Sequence, residues 1–444
     1  MSARVLILSQ DDRWHKLQEL GSQITTWLGQ EDGIQIEASH SLEVLAGDEL
    51  GTYDVCVLCT SMDGLTAVQE QGLVDFARQG GAVVGIHAAA VTHAESVAYI
   101  DLIGGRFDRH PPKQGFRVEI QDNRHPVTTG IESFEIVDEL YVLDRKPQGV
   151  RVLATACWEE CAQPIVYTKA YGKGHVLYNA LGHDAAAHGN LVYRDLMVRG
   201  IRWACDVSTI SKLLALYEGL RVTDVCDGLD AVGLIDTCTM DWEIRPLWRD
   251  VECFRHRIYG VAHTLRFVPT GRVVPRPLPL EEYKVWKSDW YRQLAPGPRE
   301  PITPGEILVI DAAEVGDVGF IGSNNALGWI VQGARGAVTN GGCRDTDELI
   351  VQKVPVYSRR IARGIRPGRL EWDAENVPIA CGGVRVYPGD VVVADGDGVI
   401  VVPRAHAEVV AQVAREIAND DKQGRQAKYQ QAGLEADPSL DQLG

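Results

Sequence analysis

Residues 319–349 read GFIGSNNALGWIVQGARGAVTNGGCRDTDEL. Their order predicts a loop, a helix and a strand that return the chain to where it began. Gly319 to Asn324 is glycine-rich and is expected to form the loop. An apolar helix follows from about Asn325 to Ala334, ended by Arg335-Gly336. Ala337 to Asn340 read as a strand, and Gly341-Gly342-Cys343 lead into Arg344-Asp345. The helix start around Ser323–Ala326 is therefore expected beside Arg344-Asp345. Free N–H groups at a helix start bind carboxylates. Arg344 offers a planar fork to a carboxylate or keto acid. Asp345 is a hard oxygen ligand, suited to a Mg²⁺ ion that keeps most of its waters. A metal-polarised α-keto group is an electron sink for C–C bond cleavage. Arg–Asp pairs are also common in surface turns, and the glycines on both sides set this one apart.

Outward from this stretch, the C-terminal part holds many short strands punctuated by Gly and Pro: YGVAHTLRFV, EILVIDAA, GAVTNGG, VPVYSR and GVRVYPGDVVVADGDGVIVVP. Residues 271–304 are proline-rich and read as an insertion, a lid or an oligomer contact. HAEVVAQVAREIANDDKQGRQAKYQQ reads as a polar amphipathic C-terminal helix. Before about Asp206 the pattern differs. ARVLILSQ, YDVCVLCT and GAVVGIHA read as buried strands, LQELGSQITTWLGQ and VQEQGLVDFARQGG as helices. This alternation predicts an α/β fold with a parallel sheet covered on both faces. GHVLYNALGH and NLVYRDLMVRGIRWA close the unit, and STISKLLALYEGL is expected to start a new helix capped by Ser208 or Thr209. The expected domains are residues 1–205 and 206–444.

In parallel α/β sheets, ligands sit at the carboxyl ends of strands. Here those ends are Gln10–Asp12, Thr60-Ser61 and His87. Loop clusters add Arg106 and His110, His125, then Asp138, Glu139 and Tyr141, and finally His183 and His188. His, carboxylate and Tyr together suit acid–base work or a metal. Taken singly, each His is as well read as a turn cap. The candidate site is His87, His110, Asp138, Glu139, Tyr141 and His183.

The stretch from about 208 to 435 resembles the RraA-like family, which includes the 4-hydroxy-4-methyl-2-oxoglutarate aldolases. RVTDVCDGL, GEILVIDAA, GGCRDTDEL, PVYSR and GGVRVYPGDVVVADGDGVIVVP carry the resemblance, in order. It implies an αββα-type fold, homo-trimers or hexamers, and a divalent cofactor, Mg²⁺ or Mn²⁺. It also implies substrate binding by Arg344, metal binding by Asp345, and carboxylate binding by the loop amides Gly322, Ser323, Asn324, Asn325, Ala326 and Leu327. The family's aldolases carry an acidic residue where this chain has Ser323. Asp347 or Glu348 could compensate. A glutamate of the family's C-terminal helix reaches a neighbouring subunit, which points to Glu416, Asp420 or Asp421. Residues 3–205 resemble the ThuA-like family, with a doubly wound flavodoxin- or amidotransferase-like sheet and a link to sugar utilisation. GGAVVGIHAA, GGRFDRHP, HPVTTGIESFEIVDELY, YGKGHVLYNALGHD and RGIRWA carry it. Where amidotransferases place a nucleophilic Cys, this chain has His87, which argues against glutamine hydrolysis.

The 444 residues, 45% hydrophobic and 24% charged, are those of a globular protein with a large core. A net charge of −17 argues against nucleic acid and anionic membranes as partners. The N-terminus enters a strand pattern directly, without a signal-like segment. Ten Cys scattered in apolar segments fit a reducing, cytoplasmic setting. Cys56 and Cys59 fall on one strand and point to opposite faces, which disfavours a zinc or redox pair. The expected function is a metal-dependent carbon–carbon lyase, an aldolase or decarboxylase, acting on a small-molecule 2-oxo acid or sugar-derived acid. Two other readings stand beside it: the ThuA-like half as main enzyme on a glycoside or keto-sugar, or a non-catalytic binding protein.

Overall fold

Aliphatic runs long enough to be covered on both faces build the first sheet. The computed structural model describes residues 2–62, 64–91, 96–274, 277–436 and 440. The chain packs as two units, Met1–Lys212 and Leu213–Gly444. In the first, the strands are β1 (Ala3–Ser9), β2 (Ile34–Ser39), β3 (Val55–Cys59), β4 (Ala82–Ile86), β5 (Gln114–Ile120), β6 (Phe134–Asp138), β7 (Val150–Trp158), β8 (Cys161–Tyr171) and β9 (Gly174–Asn179). Their order is β2-β1-β3-β4-β9-β8-β7-β5-β6. The parallel sheet expected from sequence holds for the five strands from β2 to β9. The other four extend it antiparallel. Two-residue loops join β7 to β8 and β8 to β9, and such a loop can join only antiparallel neighbours. Glu159 and Glu160, at φ 47° and 61°, form such a loop between β7 and β8.

Helix α1 (Leu17–Leu28) buries Leu17, Leu20, Ile24 and Leu28, one face at helical spacing. In α2 (Ala67–Arg78), Thr66 and Gln69 make a reciprocal capping box. Cys56 and Cys59 lie in β3 with fully buried thiols, and burial pushes the Cys56 thiol up to about 12. The helix expected to begin at Ser208 does not begin there. Leu191–Tyr217 is one helix, α3. Residues 201–217 contain no Gly or Pro to end it. Buried Ser208 donates its hydroxyl to the Gly80 carbonyl instead of capping.

The second unit is built on a nine-stranded mixed sheet. Its strands include β10 (Ile258–Pro269), β11 (Glu306–Asp311), β12 (Gly319–Ile321), β13 (Gly336–Cys343), β14 (Val356–Ile361), β15 (Leu370–Glu375), β16 (Val391–Asp395) and β17 (Gly398–Val402). The central order is β14-β13-β11-β10-β16-β17, with β12 beside β13 and β15 beside β10. Helix α4 (Val222–Ala231) packs on strands β16 and β17 and on the long C-terminal helix Ala407–Ala432. The stretch read as an insertion forms a helix, Leu280–Asp289, and one π turn, Trp290–Leu294. The helix buries no residue, whereas Trp290, Ala295 and Ile302 are buried and the Trp290 indole donates to the Leu370 carbonyl. Pro275 and Arg276, within it, lie outside the described residues. No helix among the described residues is long and apolar enough to cross a membrane.

A buried charge cluster ties three of these strands together. His263 on β10 lies 2.9 Å from Glu306 on β11 and 2.7 Å from Glu375 on β15. Burial alone would push the imidazole down, but the two carboxylates win and raise it to about 9. A raised folded-state pKa stabilises below the unfolded value, near 6.5, and that contribution fades as pH rises through about 9. At about 1.4 kcal/mol per unit the contribution is about 3 kcal/mol. Denaturant midpoints of the second unit should therefore fall between pH 6.5 and 9 in the natural chain. That slope should flatten in His263→Gln, and an unchanged slope would reject the ion cluster as its cause.

Candidate functional site

Two constellations take shape, one in each unit. In the first unit the carboxyl ends of β1, β3 and β4 frame a cavity of about 770 Å³. Gln10, Asp12, His15, Thr60, His110, Glu139, Tyr141 and His183 are among the residues lining it. His87, fully buried, follows β4 at φ 41°, in the left-handed region. A non-glycine residue held there by its surroundings is a mark of a functional turn. Its Nδ1 donates to the Ala180 carbonyl at 2.7 Å, and its backbone carbonyl accepts from the Tyr178 hydroxyl. A carbonyl can only accept, so in the neutral ring Nδ1 carries the proton and Nε2 the lone pair.

His15 stands opposite. Its Nδ1 meets the Asp12 carboxylate at 2.8 Å, and the Tyr141 hydroxyl lies 3.3 Å from its Nε2. The ring centroids of His15, His87 and His183 form a nearly equilateral triangle, 5.0–5.4 Å on a side. Glu139 joins them, with Oε2 3.2 Å from His183 Nδ1, 3.6 Å from His87 Nε2 and 3.7 Å from His110 Nε2. Burial and the neighbouring His87 hold both His15 and His183 below the usual imidazole value. Burial works against ionised Glu139, yet its contacts with His87, His183 and His110 keep it below the usual carboxylate range. Burial raises the Tyr141 hydroxyl, which stays protonated.

Five of the six residues expected in this site thus converge: His87, His110, Glu139, Tyr141 and His183. Asp138 does not face the cavity. It is fully buried and accepts from the amides of Glu139 (2.8 Å), Gly182 (2.7 Å) and His183 (3.1 Å). Its role is to fix the two loops that carry Glu139 and His183. His125 is buried within its own turn, His188 bonds the Gly182 carbonyl, and Arg106 pairs with Asp144. Sequence reasoning missed His15, which follows β1 in an irregular segment.

In the second unit, β12 and β13 end side by side. The Arg344 amide donates to the Ile321 carbonyl at 2.8 Å, and Asp345 follows at φ 55°. Two missing β-carbons make room for the pair. A Cβ on Gly319 would lie 2.7–2.9 Å from the Arg344 side chain, and one on Gly322 would lie 2.8 Å from Asp345 Oδ2. Asp345 Oδ1 is 3.2 Å from Arg344 Nε. The loop expected over Gly319–Asn324 is mostly not a loop: Gly319–Ile321 is strand β12, and the helix starts earlier than expected and runs Ser323–Gln332. Gly322 caps it, so the Asp345 carboxylate lies beside its first turn. The Ala326 amide already donates to the Gly322 carbonyl. The amides of Ser323, Asn324 and Asn325 have no partner within the helix, whereas those of Ala326 and Leu327 are taken up by it. Asp347 and Glu348 are exposed on the short helix Thr346–Val351. Glu416 and Asp420 are exposed, while Asp421 lies 3.3 Å from Arg221 of its own chain.

Sequence reasoning also passed over Arg366. It is 3% exposed, donates to the Pro296 carbonyl and lies over the rings of Phe320 (4.6 Å) and Tyr291 (5.0 Å). Among the described residues no carboxylate pairs with it. Burial lowers it to about 10, still cationic at neutral pH. Tyr291 is raised by burial, against the opposing charges of Arg366 and Arg344.

The comparisons agree with this two-part composition. Residues 4–204 match the ThuA family model, described as trehalose utilisation, and residues 222–401 match the RraA-like model, described as Aldolase/RraA. The chain therefore joins a ThuA-like region to an RraA-like region. A Halalkalibacterium halodurans protein, provisionally named a 4-hydroxy-4-methyl-2-oxoglutarate aldolase, is 37% identical over 27% of this chain and 57% of its own length. The Thermus thermophilus 4-hydroxy-4-methyl-2-oxoglutarate aldolase is 34% identical over 22% of this chain and 60% of its own. The matched segments thus span about three fifths of these relatives. The solved structure of Streptomyces coelicolor RraAS2, described as an unusual member of the RNase ES inhibitor RraA family, is 25% identical. It covers 48% of this chain and 96% of its own, at a TM-score of 0.38.

Asp138→Ala strands three buried amides and should lower the stability of the first unit by about 2–4 kcal/mol. Urea unfolding read from that unit's tryptophans checks this, and a loss under about 1 kcal/mol would reject the positioning role.

Proposed function

We propose that the second unit is a divalent-metal-dependent carbon–carbon lyase of the aldolase or decarboxylase type, acting on a 2-oxo acid. The observation that carries this reading is the close fit of Asp345 and Arg344 over Gly322 and Gly319, beside the first turn of helix Ser323–Gln332. The donors suit Mg²⁺ or Mn²⁺: a single, partly exposed carboxylate leaves most of the coordination shell to water. Asp345 would hold the ion, with the Ser323 hydroxyl available to its water shell. When bound, such an ion supplies positive charge at a keto oxygen as an enolate develops.

The protein's own groups do the rest. The Arg344 guanidinium binds and orients the substrate carboxylate. The free amides of Ser323, Asn324 and Asn325 offer donors to the same anion. The aldolase names of the relatives support the reading. A homo-trimer or hexamer in a cytoplasmic setting belongs to the same proposal. A second reading makes the first unit the main enzyme, and the convergence of His15, His87, Glu139 and His183 on one cavity favours it.

Purified protein should release pyruvate from a 4-hydroxy-2-oxo acid, or decarboxylate oxaloacetate, only with Mg²⁺ or Mn²⁺ present. Arg344→Ala should lower kcat/KM about 100-fold or more, the equivalent of about 2.7 kcal/mol of transition-state binding. No turnover across a panel of such acids, with Arg344→Ala matching the natural chain, would end this reading.

A further inference from the structure

The first unit carries a second set of donors that the lyase reading does not use. One nitrogen or oxygen from each of His15, His87, Glu139 and His183 lies within 4.8 Å of all the others. A tetrahedral ion with bonds near 2.1 Å needs donor separations of about 3.4 Å. Two of the separations, Glu139 Oε2 to His183 Nδ1 at 3.2 Å and to His87 Nε2 at 3.6 Å, already bracket that value.

A purely structural cluster would spend all of these atoms on hydrogen bonds, and this one, although His15 Nε2 meets the Tyr141 hydroxyl, leaves two without a partner. His87 Nε2 is fully buried without a hydrogen-bond partner, and His183 Nδ1 has none either. Leaving buried imidazole nitrogens unpaired is costly unless something else satisfies them. The outer contacts point the same way. The Asp12 carboxylate holds His15 Nδ1, and the Ala180 carbonyl holds His87 Nδ1. Each turns the remaining nitrogen inward, the arrangement by which a second layer of residues orients metal-binding histidines.

We propose that His15, His87, Glu139 and His183 bind one zinc-type divalent ion on the wall of the first unit's cavity. Three imidazoles and one carboxylate suit Zn²⁺ or a neighbouring transition ion, whereas Mg²⁺ prefers oxygen donors throughout. The chain then has two metal sites of different chemistry, one per unit. The cavity beside this one gives a small molecule access to the ion.

The test uses the full chain, stripped with a chelator and dialysed against Zn²⁺ or Co²⁺. About one equivalent of Zn²⁺ should be retained, and the Co²⁺ form should show the intense visible absorption of a low-coordinate ion. Glu139→Gln and His183→Ala should each weaken Zn²⁺ binding more than about 100-fold, and Asp12→Asn about 10- to 100-fold. Asp345→Asn should leave Zn²⁺ retention unchanged, which separates this site from the one proposed in the second unit. A weak octahedral Co²⁺ spectrum in the natural chain overturns the proposal without relying on any variant. So does Zn²⁺ retention that survives Glu139→Gln and His183→Ala, or that is lost in Asp345→Asn.

Discussion

A single buried carboxylate organises the first unit's cavity. Asp138 gathers the amides of Glu139, Gly182 and His183, and so pins the end of β6 to the loop after β9. Gly182 shows how tight the anchor is: at φ 115°, a Cβ there would lie 2.4 Å from the Tyr193 hydroxyl. The loop must be glycine at that point to deliver the next residue, His183.

The second unit reaches its site by the opposite device. There, space is made by leaving atoms out. Gly319 and Gly322 let two long or charged side chains lie against backbone, and parallel pairing of β12 with β13 sets the register that puts them together. One unit positions functional groups by hydrogen bonds to a buried carboxyl group, the other by excluding side chains.

Much of this was legible in the sequence. Covered strands such as Val55–Cys59 and Ala82–Ile86 appear as unbroken apolar runs because neither face meets water. His87 and His183 stood out because they follow such runs. Asp138 was found but given the wrong duty. Along Phe134–Asp138 burial alternates, with Phe134, Ile136 and Asp138 inward, and that period of two is the signal that it faces the core. His15 escaped because residues 10–16 have no period at all. Its one local trace is the three-residue spacing from Asp12, which lets carboxylate and ring meet. The antiparallel strands were missed because turn chemistry decides them, and Glu159-Glu160 is not a sequence that announces a left-handed turn. The continuous helix Leu191–Tyr217 was missed because a Ser in mid-helix looks like a cap until its hydroxyl is seen bonding elsewhere.

Arg366 gives the second unit a local field opposed to that of the molecule as a whole. The chain carries a net charge of −17, whose long-range effect on an anion is repulsive. That repulsion comes from exposed groups, and salt screens it over about 8 Å at physiological ionic strength. Arg366 is sealed among Phe267, Phe320 and Tyr291, where mobile ions cannot reach it. Its attraction therefore survives the salt that removes the repulsion. The charge is set among rings rather than carboxylates, so salt does not dilute its field inside the unit.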